Sequence, residues 1–166
     1  MKHFNNFYNL NSTYSERIKH TPKNNPSRGN WTSERGNSTF IPTPNQKEVI
    51  SILKKFNLKG IDYINCCVDF SRISYATLSI ENMSTKRYKN FSQCYYVCAN
   101  LWNEQIFGNF NNWTRHLVKN YIKDHRLTWH ECNDCTTCIL VPTAVHAFFT
   151  HLGGISECKH KQNANT

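Results

Sequence analysis

Residues 127–154 read LTWHECNDCTTCILVPTAVHAFFTHLGG and set out strand, turn, strand and helix within one short run. Leu127–Glu131 is rich in β-prone residues and carries His130 and Glu131 side by side. Asn133 and Asp134 supply a polar turn, and Cys138–Val141 is a second apolar strand. Pro142 then opens a segment bearing His146 and His151, which Gly153 and Gly154 end. A hairpin followed by a helix is predicted here. Such a ββα unit can hold one divalent cation between hairpin and helix and place a proton acceptor beside it.

The residue types fit hydrolysis of a phosphodiester. A histidine near its ordinary pKa takes a proton from water at neutral pH, and a carboxylate is a hard ligand for a cation such as Mg²⁺. Hydrolysis needs an activated water and neutralised charge on the phosphoryl and leaving oxygens. His146 and His151 stand five apart, so on an unbroken helix they point roughly 140° away from each other. Both reach one ion only if the helix ends before His151, which Gly153-Gly154 make reasonable. The alternative is that one of them is a solvated or core histidine. Cys132, Cys135 and Cys138, with Cys158 or a histidine, offer a tetrahedral zinc set, but the second C-x₂-C of a zinc ribbon is missing. Free thiols or a local disulfide are the competing readings.

Outward from this stretch, the chain has 166 residues, room for one domain. Its 20 Lys and Arg against 11 Asp and Glu give a formal charge of +9, which favours a polyanionic partner through counterion release. No run of roughly 18 apolar residues exists to cross a membrane, and Met1–His20 lacks the apolar core of a secretory signal. The expected location is therefore the cytoplasm, or a target cell reached by a non-classical route. The eight Cys do not read as a disulfide framework. Residues 1–25, rich in Asn and Ser, are expected as a flexible tail, 26–158 as the domain with its core at 127–154, and 159–166 as a second tail. Thr43-Pro44-Asn45-Gln46 predicts a helix start, with Val49, Ile52, Leu53 and Phe56 as its core face and Asn57 and Gly60 as its stop. Ile61–Asp69 is a strand or loop, and Tyr75–Glu81 alternates as a half-buried strand. Asn90 reads as another helix start, followed by a stripe of Phe91, Cys94, Tyr95, Cys98 and Leu101, and Trp113, Leu117 and Tyr121 suggest a further helix.

Several spaced motifs give the chain a resemblance to a known family. They are Trp129-His130-Glu131, Leu140-Val141-Pro142, His146 and His151-Leu152-Gly153-Gly154. Upstream stand Trp31-Thr32-Ser33-Glu34-Arg35-Gly36-Asn37-Ser38, Ile41-Pro42, Gly60-Ile61-Asp62-Tyr63, Val68-Asp69-Phe70-Ser71, and Arg87 with Asn90-Phe91. In that order they resemble the HNH/endonuclease VII nucleases found as toxin domains, in the group named for its Trp-His-His or Trp-His-Glu motif. The resemblance spans about residues 28–158. It departs at Cys138-Ile139, where relatives carry Met-Gln, and at Cys135, where they carry a turn glycine.

The resemblance implies an α+β fold with a ββα-metal (His-Me finger) core, further N-terminal helices and short strands. It implies a metal-dependent endonuclease cutting DNA with little sequence preference, using Mg²⁺ or Mn²⁺, or Zn²⁺ as the alternative. His130 would be the general base and Glu131 a ligand or orienting group, with the reversed order, His130 on the metal, also open. His146 would be the first helix ligand and His151 a second ligand or a phosphate contact, and Glu34 and Arg35 would contact substrate or brace the site. Lys119, Lys123 and Arg126 are candidates for holding the phosphate backbone. A cognate immunity protein is the implied protein partner, and no membrane is. Two other readings remain: a non-catalytic, zinc-stabilised nucleic-acid-binding module, and an RNase.

Overall fold

The computed structural model describes residues 7–164. Helix α1 (Tyr14–His20) opens with a capping box, in which the Thr13 hydroxyl accepts from the Glu16 amide and the Glu16 carboxylate accepts from the Thr13 amide. Strands β1 (Gly29–Trp31) and β2 (Thr39–Pro42) follow, then helix α2 (Lys47–Lys55). Next come β3 (Ile61–Ile64) and β4 (Cys67–Asp69), joined by Asn65 and Cys66. Both connecting residues have positive φ, 51° and 64°, as the tightest hairpin turns require. These four strands form one antiparallel sheet in the order β1-β2-β3-β4.

The second half begins with β5 (Ala76–Ser79), α3 (Arg87–Glu104) and α4 (Arg115–Asp124), whose N-cap Thr114 accepts from the Leu117 amide. Then come β6 (Leu127–Glu131), β7 (Thr137–Pro142), α5 (Thr143–Phe148) and α6 (Gly154–Ala164). Strands β5, β6 and β7 make a second antiparallel sheet in the order β5-β7-β6. The mixed helix-and-sheet class is the expected one. In the five-residue connection of β6 to β7, Asp134 accepts from the amides of Thr136 and Thr137, and Cys135 takes the left-handed backbone that turn needs.

The central strand β7 is buried along its whole length because both of its faces are covered. Ile139 and Val141 point into a core with Trp31, Phe40, Tyr63 and Phe149. Cys138 and Leu140 point into a second core with Trp102, Trp129, Cys94 and Val118. Alternation along β6 follows the same division, as a period of two demands. Leu127 and Trp129 join the second core under α3 and α4, whereas His130 turns to the opposite face, beside Phe70.

Four expectations need correction. The stretch read as a tail, residues 1–25, carries helix α1 at Tyr14–His20 and is docked where it is described. Arg17 in α1 is buried and bonds the Asn65 carbonyl, and the Ser12 hydroxyl and amide donate to buried Glu157. Residues 1–6 of that tail lie outside the described residues. The stretch read as a second tail, 159–166, continues α6 through Ala164, and 165–166 lie outside. Helix α2 starts at Lys47 with Gln46 as its cap residue, because Thr43–Gln46 closes on itself as a turn, the Gln46 amide donating to Thr43 O at 2.9 Å. Asn90 is no helix cap: it lies inside α3, fully buried, and its amide reaches across to Glu131.

Candidate metal centre

Helix α5 is short. It ends at Phe148, and Phe149 leaves the helical region with φ −85° and ψ 82°. His151 therefore escapes the helix's angular spacing and swings back toward His146. The condition set by the five-residue spacing is met by an early stop, before Gly153-Gly154 are reached. Those glycines serve a different need. A Cβ at Gly154 would collide with the Cys132 carbonyl, so only glycine lets the start of α6 pass so close to the end of β6.

One ligating atom from each of His130, His146 and His151 lies within 4.8 Å of the others, and no other such group occurs among the described residues. His130 Nδ1 and His146 Nε2 are 3.4 Å apart. Two nitrogens bound to one tetrahedral ion at about 2.1 Å are separated by roughly that distance. The His151 Nδ1–H donates to the Phe149 carbonyl at 2.7 Å, which leaves the Nε2 lone pair free. Metal-binding imidazoles are commonly oriented in this way. The buried Nε2 of His130 has no partner. Phe70 forms the wall, its ring centroid 5.0 to 5.7 Å from each imidazole.

Burial pushes all three imidazoles toward the neutral form. His130 is held well below its ordinary pKa, by burial first and by its two histidine neighbours second. His146 is driven down to about 3 by burial, then by His151 and Arg87. His151 is driven down to about 4 by burial, against the opposing pull of the Phe149 carbonyl. Neutral imidazoles are what a cation binds. The donor set fits a divalent transition ion or zinc better than it fits Mg²⁺, which prefers oxygen.

Glu131 stands apart from the three histidines. Next to His130 on a strand, its side chain faces the other way, toward α3. There its carboxylate accepts from Arg87 Nε at 3.1 Å and from Asn90 Nδ2 at 2.8 Å. It still lines the same cleft as the histidines, a cavity of about 440 Å³ that Arg87 and His20 also border. Arg87 entered the sequence reading only as part of a motif. His20 was missed altogether, since an exposed histidine in the last turn of a helix carries no signal.

The other expected residues lie elsewhere. Arg35 caps the end of α1, donating to the Ile18 and Thr21 carbonyls and the Thr21 hydroxyl. It thereby braces the helix that ends in His20. Glu34 is exposed in the β1–β2 loop. Lys119 borders a groove between α3 and α4, and Lys123 and Arg126 border a third cavity, beside α2 and the start of α5. The proposed cysteine zinc set is corrected. Cys132 packs into the first core, while Cys138 and Cys135 pack into or against the second, so the hairpin itself separates them. All eight cysteines are free; burial raises the thiols of Cys132 and Cys135, and a hydrogen bond with Cys94 and then burial raise that of Cys138.

Among the described residues no helix is long and apolar enough to cross a membrane. Comparison with curated proteins finds no match, and comparison with solved structures finds none. The family model for the DNase/tRNase domain of colicin-like bacteriocin matches residues 61–153, more than half of the chain. That span runs from β3 to the residue before α6 and takes in Phe70, Arg87, Glu131 and all three imidazoles. The chain accordingly belongs to the family of DNase/tRNase domains of colicin-like bacteriocins and is a nuclease toxin domain.

Proposed function

We propose that the domain is a metal-dependent endonuclease of the HNH, ββα-metal kind, with β6, β7 and α5 as the metal-holding unit. The convergence of His130, His146 and His151 on one point carries this reading. All three serve as ligands, so His130 takes the reversed role weighed from the sequence. Its neutral state and the 3.4 Å between its Nδ1 and His146 Nε2 suit a ligand. A divalent ion held there would neutralise charge on the phosphoryl and leaving oxygens.

The chain's own residues supply the rest. Arg87, with its guanidinium largely exposed at the cleft and its Nε fixed on Glu131, binds a phosphate oxygen. Glu131 spends two of about four acceptor positions on Arg87 and Asn90, and the remainder can orient a water and accept its proton. The water oxygen then bonds to phosphorus as the bond to the 3′ oxygen breaks, and that oxygen is protonated from solvent. Little sequence preference follows, because these contacts reach a phosphate and no base edge. A toxin of this kind implies a cognate immunity protein.

The test is incubation of the purified domain with supercoiled plasmid and, separately, structured RNA, in Mg²⁺, Mn²⁺, Zn²⁺ or EDTA. Cleavage is expected in at least one metal, abolished by EDTA, and lowered at least about 100-fold by His146→Ala. No cleavage in any metal, or full activity in His146→Ala, would sink the proposal. Which polymer is cut decides between DNase and RNase.

A further inference from the structure

Tyr88 is 69% exposed, and Tyr95, two turns further along the same face of α3, is half-buried against the second core. Tyr88, Phe91, Ser92 and Tyr95 fall at helical spacing on one face of α3 and line a groove of about 500 Å³. The opposite wall is the first turns of α4, where Arg115, His116 and Lys119 are all exposed. No acidic residue lines this groove. Arg115 is held in place by a hydrogen bond to Ser92 at 2.5 Å, and His116 is paired with Asn120 at 3.0 Å. The groove and the histidine cleft meet at the start of α3, where Tyr88 of the groove directly follows Arg87 of the cleft.

We infer that this α3–α4 groove binds unpaired nucleotides of the polynucleotide whose phosphodiester lies in the His130–His146–His151 cleft, stacking bases on Tyr88 and Tyr95 while Arg115 and Lys119 meet the phosphates. The inference rests on the nuclease reading and narrows it to substrates with single-stranded segments. Aromatic faces alternating with cations match a strand whose bases are free to stack. A duplex turns its base faces inward and offers only edges and phosphates, for which an exposed tyrosine ring such as that of Tyr88 is not needed. From Tyr88 to Tyr95 the helix rises about 10 Å. That length accommodates about three stacked nucleotides.

Binding is tested in EDTA, so that cleavage plays no part and loss of the nuclease reading would be seen separately in the metal assays. Fluorescence anisotropy of short labelled oligothymidylate and oligouridylate is compared with a duplex of the same length. The single strands are expected to bind at least about fivefold tighter than the duplex, and Tyr88→Ala to weaken them about fivefold or more. Lys119→Gln should weaken both forms and reduce the salt dependence. Tyr88→Ala removes an exposed ring, and its circular dichroism reports that the fold is kept. Equal affinity for strand and duplex, or unchanged strand affinity in Tyr88→Ala, would overturn the inference. The second result would leave the groove to an acidic protein partner.

Discussion

Three neutral imidazoles side by side, His130 buried and His146 and His151 half-buried, set the sign of the pH response. Each has a folded-state pKa below the ordinary value of about 6.5, so the unfolded chain binds more protons once the pH falls beneath that value. Stability of the metal-free protein should therefore be fully present above about pH 6.5 and decline toward pH 4. Every imidazole that gains a proton on unfolding adds about 1.4 kcal/mol per pH unit to the slope. Thermal melts in EDTA at several pH values measure this, and His146→Ala should flatten the curve. A melting temperature indifferent to pH over that interval would contradict the buried, neutral cluster. Asn90 offers a second residue-scale prediction. It is fully buried, with its amide divided between the Glu131 carboxylate and the Ser84 carbonyl. Asn90→Ala should cost about 1–3 kcal/mol in urea denaturation and lower cleavage by loosening Glu131.

At the scale of elements, α6 is held by one carboxylate. Glu157 is wholly buried and accepts from the Asn11 amide at 2.8 Å, the Ser12 amide at 3.0 Å, the Ser12 hydroxyl and Asn133 Nδ2 at 3.2 Å. Glu157→Ala would strand several donors without water. A loss of about 3 kcal/mol is expected by chemical denaturation, more than Glu157→Gln, which keeps an acceptor oxygen. This junction also marks where sequence reading stops. The hairpin and α5 were legible because their signals are local: alternation around Trp129 and His130, the Asn133-Asp134 turn, and Pro142 at the helix start. The docking of α1 was not, since Ser12 and Glu157 stand 145 positions apart and nothing in an Asn-rich stretch announces a distant carboxylate. Asn90 misled for a related reason. Asparagine near a helix start usually serves the backbone, whereas here tertiary burial claims its amide. The histidines were recognised as a group, but the face that each strand residue takes, and hence the parting of His130 from Glu131, emerged only once β6 had cores on both sides.

For the molecule as a whole, β7 belongs to both hydrophobic cores at once. Neither core can open without exposing one face of this strand, so the two should unfold as one unit. Trp31 sits in one core and Trp102 with Trp129 in the other. Single-tryptophan variants followed by fluorescence should give coincident urea transitions, and separated midpoints would show independent subdomains. Leu140→Ala, at a fully buried position, should cost about 2–5 kcal/mol, a large part of the 5–15 kcal/mol that holds a typical domain together.

The bonding of Asn11 and Ser12 to Glu157 brings an early and a late part of the chain to the same spot. A tension applied to the early segment would therefore meet the bond of Asn65 to the Phe7 carbonyl first and the bonds of Asn11 and Ser12 to Glu157 next. Drawn from that end, the domain would release α1 once Arg17 had left Asn65 and Arg35 had left the Ile18 and Thr21 carbonyls. The histidine cleft would then lose its His20 rim before either sheet began to give way.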